Sequence, residues 1–499
     1  MTRILSYKKY FLLAEKIKGK LLVFTAKRMA GKLLILISTL FQACATLQQQ
    51  APTLADRVDS LFYSDFFKAS QAGISVYDLT ENKPLYKHKE KLLLRPASNQ
   101  KILTTAAAYL FLGKDYNFKT SVYHTGEIKD SVCQGDVYFI GGFDPDFTSQ
   151  NLDSVVKEIK RFGINKINGN LYADVSAMDS LFWGEGWMWN DDPEPYEAYL
   201  TPLCINKNSI QVISSVKESG KPAEIELLPP TKYLQIQNST SVIDSGKKTL
   251  FVTRDWLNRK NTILANGNLT KTSRPDTTAV NVFNPTNYFL TLARESFERN
   301  GISFSGKIDT LTLRGEAIEI FTFKRSIQNV IRRTNKVSDN LSAEMVLRAL
   351  GLKFGKPSSA DKGIKFVDSL ISLAGLNPKN YRIADGSGLS YYNLVSPELL
   401  CEVLKFYYYQ PDLYERLFNS FPVSGIDGTL SNRMKNGSAF KRVHAKTGTI
   451  SGVSSLSGYI ESKNNHLIVF SILIQNFVGP SSQARKIQDK ICEIISEMN

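Results

Sequence analysis

Apolar residues change their spacing several times along this chain, and the changes outline its architecture. From Leu54 to about Ala69, Leu54, Val58, Leu61 and Phe62 fall on one helical face. Ile74–Leu79 then reads as extended, and the turn Glu81-Asn-Lys-Pro84 before a second extended piece predicts a hairpin. The next run differs in kind. Ile102, Leu103, Ala106, Ala107, Tyr109, Leu110 and Phe111 cover nearly the whole circumference of a helix, with Gly113 as its C-terminal stop. A helix that is apolar on most sides belongs inside a domain.

From about 119 to 276 the pattern becomes short alternating segments, turn clusters and polar loops, as in Gly135-Asp-Val-Tyr-Phe-Ile-Gly141 and Glu224-Ile-Glu-Leu-Leu-Pro229. This region is expected to be β-rich. Helical spacing returns near Asn284, with helices predicted over Thr286–Asn300, Asn340–Leu352 and from Ser396-Pro397 to Tyr407. The end of the chain predicts strands over Val443–Thr449, Ser454–Glu461 and Leu467–Ile474, the last fully buried, and a helix from about Ser482. The two ends are expected to build one antiparallel sheet carrying the buried helix, giving a multidomain α+β protein. Its expected division is a discontinuous catalytic domain, 54–118 plus 277–499, around an inserted β-rich region, 119–276, that is itself one unit or two nested ones.

Length supports that division, because 499 residues exceed what a single ordinary core accommodates. The net charge of +15 suggests nucleic acid until its distribution is seen. Nine cations against Glu15 alone put +8 of it in residues 1–32, and no basic stripe interleaved with aromatics follows, so nucleic-acid binding is not expected. The basic start leads into the apolar run Leu33–Phe41 and the small residues Ala43-Cys44-Ala45, the pattern of a cleaved secretory signal. Residues 1–45 are therefore read as a basic segment and signal, with Met29 as an alternative start to Met1, and the protein as exported to the periplasm. Cys44 offers a lipid anchor, and with it peripheral membrane association, but Phe41 and Gln42 make a poor lipobox. Cys133, Cys204, Cys401 and Cys492 lack zinc spacing, and the four histidines form no ligand pattern, so neither a metal nor a cofactor is expected.

The chemistry lies in three short motifs. Ser98-x-x-Lys101 opens the buried helix and sets a hydroxyl beside an amine. Alone it is weak, since Ser154/Lys157, Ser214/Lys217, Ser245/Lys248, Ser359/Lys362 and Ser438/Lys441 repeat it. Ser338-Asp-Asn340 at a helix start and Lys446-Thr447-Gly448 on an expected edge strand each occur once, in that order. Separately they are a helix cap and a strand end; together they are the signature of penicilloyl serine transferases.

With its neighbours, this set resembles the class C low-molecular-mass penicillin-binding proteins, the D-alanyl-D-alanine carboxypeptidase/endopeptidase family. The segments that carry the likeness are Pro96–Ala108, Gly141-Gly-Phe-Asp-Pro145, Ser338–Glu344, Asp385-Gly-Ser-Gly-Leu-Ser390, Gly425-Ile-Asp-Gly-Thr429 and Ala445–Ser454. The 236 residues between Lys101 and Ser338 resemble that family's large insertions rather than the short spacing of class A β-lactamases. The resemblance implies a penicillin-binding-protein/serine β-lactamase-like transpeptidase domain that acts on peptidoglycan stem peptides and is acylated by β-lactams. It implies Ser98 as nucleophile, Lys101 as its base with a pKa depressed by Lys446 and by desolvation, and Ser338 as proton donor to the leaving amine. Asn340 would hold Lys101 and the substrate amide, backbone N–H groups of Ser98 and Thr449 the oxyanion, and Thr447, Gly448 and Thr449 beside Lys446 the terminal carboxylate. Asp191, in a tryptophan-bearing loop with Asp192 adjacent, matches an acidic residue that meets the substrate's distal amine. One departure stands out: Tyr391 and Tyr392 occupy positions where the family usually has Arg. Rival readings are a β-lactamase or D-amino-acid amidase on the same scaffold, and a catalytically idle wall-binding scaffold.

Overall fold

The structure is a computed structural model that describes residues 15, 16, 18–20, 25, 27–33 and 52–498. Residues 34–45, Cys44 among them, on which the expectation of an export signal rests, lie outside the described residues. Among the described residues no helix is long and apolar enough to cross a membrane. Leu54–Asn499 forms one compact unit.

That unit is organised on a five-stranded sheet drawn from both ends of the chain. Its strands are β1 (Gln71–Asp78), β2 (Lys83–His88), β3 (Val443–Ile450), β4 (Val453–Glu461) and β5 (Leu467–Gln475), in the spatial order β3-β4-β5-β1-β2. Every pairing is antiparallel, with Ile472 of β5 opposite both Ile74 and Leu456. β3 is an edge, which leaves one side of its backbone open beside the motif it carries.

Helices cover both faces, so the central strands lack the alternation of a one-sided sheet. Leu467-Ile-Val-Phe-Ser-Ile-Leu-Ile is apolar almost throughout because each side meets a core. On one face lie α1 (Leu54–Phe62) and, from the chain's far end, a helix over Ser482–Ser496; Val58, Ile491 and Ile495 pack there against Ile74, Leu456 and Ile472. On the other face lies α2 (Gln100–Phe111), the helix that is apolar all round, with Gln100 to Tyr109 all buried. α3 (Ile327–Lys336), α4 (Asn340–Gly351) and α5 (Pro397–Tyr408) surround it, and Leu103, Leu347, Leu399 and Val469 share one core. The Ser482–Ser496 helix is labelled α6.

The insertion is built on a second five-stranded sheet in which Ile318–Ser326 pairs antiparallel with Asn117–His124, Thr322 opposite Ser121. Helices Ser149–Arg161 and Pro285–Arg299 close its core around Phe139, Phe289 and Phe297. Two three-stranded sheets over residues 209–281 share that core through Ile210, Val212, Val252 and Ile263. Helix Pro285–Arg299 and strand Ile318–Ser326, expected in the catalytic domain, thus pack with strands of the inserted region. Helical spacing near Asn284 looks like a return to the catalytic domain, and the edge strand Ile318–Ser326 is too exposed to alternate clearly.

Ile472→Ala removes a fully buried side chain from β5 and is expected to cost about 2–5 kcal/mol. A urea titration followed by near-UV circular dichroism should show a lower midpoint; an unchanged midpoint would remove this strand from the interior.

Candidate active site

Ser98 sits in the tight turn Ala97–Asn99, just ahead of α2. The turn is locked to the open edge of the sheet from several sides. Asn99 Nδ2 donates to the Lys446 carbonyl at 2.8 Å, and Ser455 Oγ donates to the Pro96 carbonyl at 2.6 Å. Gly448 of β3 passes so close that a Cβ there would lie 2.2 Å from Ser455 Oγ and 2.8 Å from the Ser98 nitrogen. A side chain at 448 would push the turn off the strand.

One helical turn on, Lys101 Nζ lies 2.9 Å from Ser98 Oγ. It also lies 2.6 Å from Asn340 Oδ1 and 2.6 Å from the Ser387 carbonyl. Asn340 begins α4, which Asp339 caps by accepting from the Ser342 N–H at 2.9 Å. The other end of the Asn340 amide, Nδ2, donates to the Tyr196 carbonyl at 3.0 Å, which fixes the amide's orientation. Lys446 Nζ reaches across from β3 to Ser338 Oγ at 2.8 Å and to the Thr447 carbonyl at 2.8 Å. Thr447 Oγ1 donates to Thr429 Oγ1 at 2.8 Å, and Arg485 of α6 lies 3.3 Å from Thr449 Oγ1. Ser98, Lys101 and Asn340 thus form one hydrogen-bonded group, and Ser338, Lys446 and Thr447 another.

Burial brings the Lys101 amine down to about 8, against the pull of Asp385, Glu344, Asp339 and Glu197. Burial, followed by the neighbouring Lys101, also holds Lys446 well below its usual range. Desolvation is the largest cause at both amines, and the repulsion between the two cations adds to it at Lys446.

Sequence reasoning missed the groups behind this one. Glu344, one turn beyond Asn340 on α4, accepts from the backbone N–H groups of Gly386 and Ser387 at 2.9 and 2.8 Å and so aims the Ser387 carbonyl at Lys101. Arg348, a further turn on, pairs with it at 2.7 Å. The i, i+4 spacing of Asn340, Glu344 and Arg348 was the available signal. Asp385 accepts from the N–H groups of Gly388 and Ser390, each at 2.8 Å, and from Trp187 Nε1 at 2.9 Å, so this tryptophan anchors its loop. Asp191 ends the short turn Trp189–Asp191 of that loop, its carboxyl raised mainly by burial. Its neighbour Asp192 is buried against Arg254 and accepts from Tyr199 Oη at 2.6 Å, so it is committed to the structure. Glu197 is buried with Oε2 unpartnered and is pushed up to about 9, first by burial and then by Asp191 and Asp385. His444 stacks on Phe418 at 4.1 Å and is driven down to about 4 by burial.

A serine hydroxyl, an adjoining amine and a second amine–hydroxyl pair beside an open strand edge are groups suited to acyl transfer. A sequence model of the D-Ala-D-Ala carboxypeptidase 3 (S13) family matches residues 54–498. The D-alanyl-D-alanine carboxypeptidase of Actinomadura sp. (strain R39) is 29% identical over 485 residues, covering 91% of this chain and 88% of that protein. The crystal structure of penicillin binding protein 4 (dacB) from Haemophilus influenzae superposes with a TM-score of 0.78 at 27% identity, covering 87% of this chain and 97% of that one. The same protein complexed with a β-lactam gives 0.72 at 26%, covering 87% and 98%.

Because Lys101 must be neutral to take a proton, the second-order rate at which an activated ester acylates Ser98 should rise about tenfold per pH unit below the Lys101 value and level off above it. The bend is expected near pH 8. A flat profile would remove Lys101 as the base.

Proposed function

The chain belongs to the D-Ala-D-Ala carboxypeptidase 3 (S13) family, and from that membership we propose that it hydrolyses the terminal D-Ala-D-Ala bond of peptidoglycan stem peptides through an acyl-enzyme at Ser98. The observation that carries this reading is the contact of Lys101 Nζ with Ser98 Oγ at 2.9 Å in a site where burial lowers the amine.

The substrate lies extended along β3, its terminal carboxylate beside Lys446, Thr447 and Thr449. An arriving carboxylate favours the charged form of Lys446, against the burial that disfavours it. Ser98 Oγ attacks the carbonyl between the two D-alanines while Lys101 accepts its proton. The developing oxyanion is held by the N–H groups of Ser98 and Thr449, each worth about 3 kcal/mol. The Asn340 amide, whose Oδ1 faces Lys101, has a second Nδ2 hydrogen for the peptide. Ser338, bonded to Lys446, hands its proton to the departing amine as the C–N bond breaks, and the proton that Lys101 took from Ser98 replaces it. Water then attacks the Ser98 ester, releases the shortened stem and restores the hydroxyl proton.

Arg95 addresses the departure at Tyr391. Its Nε donates to the Tyr391 carbonyl at 3.2 Å and its guanidinium lies 5.6 Å over the Tyr391 ring. That guanidinium offers a cation for a carboxylate on the stem-peptide side chain, with Asp191 nearby for its amine. Export to the periplasm, the role expected of residues 33–45, completes the proposal, since the substrate is in the wall.

A β-lactamase must deacylate fast, and the buried acid on the segment holding Asn340, Glu197, is protonated at neutral pH because burial raises it to about 9. A neutral carboxyl is a poor base for water, which favours a lasting penicilloyl ester.

Labelled benzylpenicillin should attach to the wild type, persist for many minutes and fail on Ser98→Ala. Mass spectrometry of a pentapeptide muropeptide should show loss of one D-alanine. Rapid loss of label with intact muropeptide would favour the β-lactamase reading, and absence of both signals an idle scaffold.

A further inference from the structure

The Ser338-Asp-Asn340 turn has a reacting group on either side of a residue that does not react. Asp339 caps α4 through Oδ1, which accepts from the Ser342 N–H at 2.9 Å. A cap of this kind uses one oxygen and leaves the second free for other partners. Here the Asp339 side chain is only 10% exposed, and Oδ2 lies 3.1 Å from Lys207 Nζ and 3.6 Å from Arg333 Nε. Arg333 Nε lies in turn 2.9 Å from Asp146 Oδ1. Asp146, Arg333, Asp339 and Lys207 thus form a row of charges that alternate in sign.

Asp146 and Lys207 come from the inserted region and Arg333 from α3, and both ends of the row are anchored. The Asp146 carbonyl accepts from Arg325 Nη2 at 3.0 Å, and the Asp146 N–H donates to Asp144 Oδ1 at 3.1 Å. Lys207 is the centre of the left-handed turn Asn206–Asn208, with φ of 58°. That turn is tied back beside Asp146, because the Asn206 N–H donates to the Phe147 carbonyl at 2.8 Å. Ser338 itself has φ of 63°, a conformation that persists only where its surroundings hold it. Before it, Lys336 Nζ donates to Asp427 Oδ2 at 2.6 Å; after it, the hold is on Asp339. Successive Cα atoms are fixed about 3.8 Å apart, so a carboxylate pinned at 339 sets where the Ser338 and Asn340 side chains start.

We propose that Asp146, Arg333 and Lys207 are positioning residues for acylation, which act through Asp339 to hold Ser338 against Lys446 and Asn340 against Lys101. The proposal rests on the acyl-enzyme reading above and adds to it three groups outside the motifs. The row also acts on the base. Asp339, with Asp385, Glu344 and Glu197, pulls Lys101 toward its charged form against the burial that lowers it, and Lys446 is the cation across the site. Lys207 and Arg333 offset the Asp339 charge and so favour the neutral amine. They keep 40% and 37% of their side chains in water, which screens this effect and leaves it modest. Burial brings the Asp146 carboxyl up to about 7, against the pull of Arg333 and Arg325 and with Asp339 and Asp144 adding to the rise. It is therefore charged where Lys101 titrates.

The test is the second-order rate at which labelled benzylpenicillin acylates the purified full chain, followed across the Lys101 value, with the thermal midpoint measured alongside. Arg333→Met and Lys207→Met, combined in one chain, are expected to lower the high-pH rate about tenfold and to move the bend up by about half a unit, because the Asp339 charge is no longer offset. Asp146→Asn is expected to move the bend the other way, since the Arg333 charge then reaches Lys101 with less opposition. Arg333→Lys keeps a cation and should recover most of the rate lost in Arg333→Met. A bend that stays in place in all of these variants, whether rate and thermal midpoint hold or fall together, overturns the proposal while the acyl-enzyme reading stands. A wild type that takes no label brings down both.

Discussion

Everything at this centre depends on one amine taken out of water and offered three oxygens. Two of them, Asn340 Oδ1 and the Ser387 carbonyl, only accept, and both lie at 2.6 Å from Lys101 Nζ. The third, Ser98 Oγ at 2.9 Å, can donate or accept. A neutral amine has two hydrogens and one lone pair, so the fixed acceptors take the hydrogens and the lone pair is left facing the serine hydroxyl. The geometry thus points the lone pair at the serine proton without any motion. Desolvation supplies the other half, because the same burial that orders the donors disfavours the ammonium form. A lysine with the same neighbours in water would stay charged and present no lone pair.

Holding that arrangement requires segments that are far apart in sequence to meet. The chain solves this by routing the insertion back through its own sheet. Ile318–Ser326 pairs with Asn117–His124 and runs straight into α3, whose end delivers Val337 and Ser338 to the site. The long excursion therefore returns at a point set by strand register instead of by a loose linker. Glu344 does the equivalent for the Ser387 carbonyl, fixing a loop by its backbone N–H groups while Arg348 offsets its buried charge. Removing either partner would leave the other buried and uncompensated.

The catalytic sheet and the buried helix could be read from the sequence because their signal is local. A helix apolar all round and a strand apolar throughout have few other places to go, and Leu467–Gln475 and Gln100–Phe111 lie inside as expected. Which core helix Pro285–Arg299 joins could not be read, because its apolar positions suit either one; in the structure Tyr288 and Phe297 pack with Phe139. The Ser387 and Tyr196 carbonyls at the site carry no sequence signature, since every residue has a carbonyl and its direction is a property of the folded path. Glu197 was hidden for a related reason: its importance lies in burial and a missing partner, and neither shows in residue type.

Strain at both serine motifs points to a site that is formed before substrate arrives. Ala97, which precedes the nucleophile, has φ of 45°, and Ser338 has φ of 63°; left-handed conformations at such residues cost about 1–3 kcal/mol each. They persist where neighbours leave no alternative. At Ala97 the constraint comes from Gly388, whose hypothetical Cβ would lie 1.8 Å from the Ala97 carbonyl oxygen, so the loop that carries the Ser387 carbonyl presses directly on the turn that carries Ser98. The free energy stored there comes from the packed core of α2 and the sheet. It is spent on placing Ser98, Lys101 and Ser387 within hydrogen-bond reach, a cost that would otherwise fall on the acylation step.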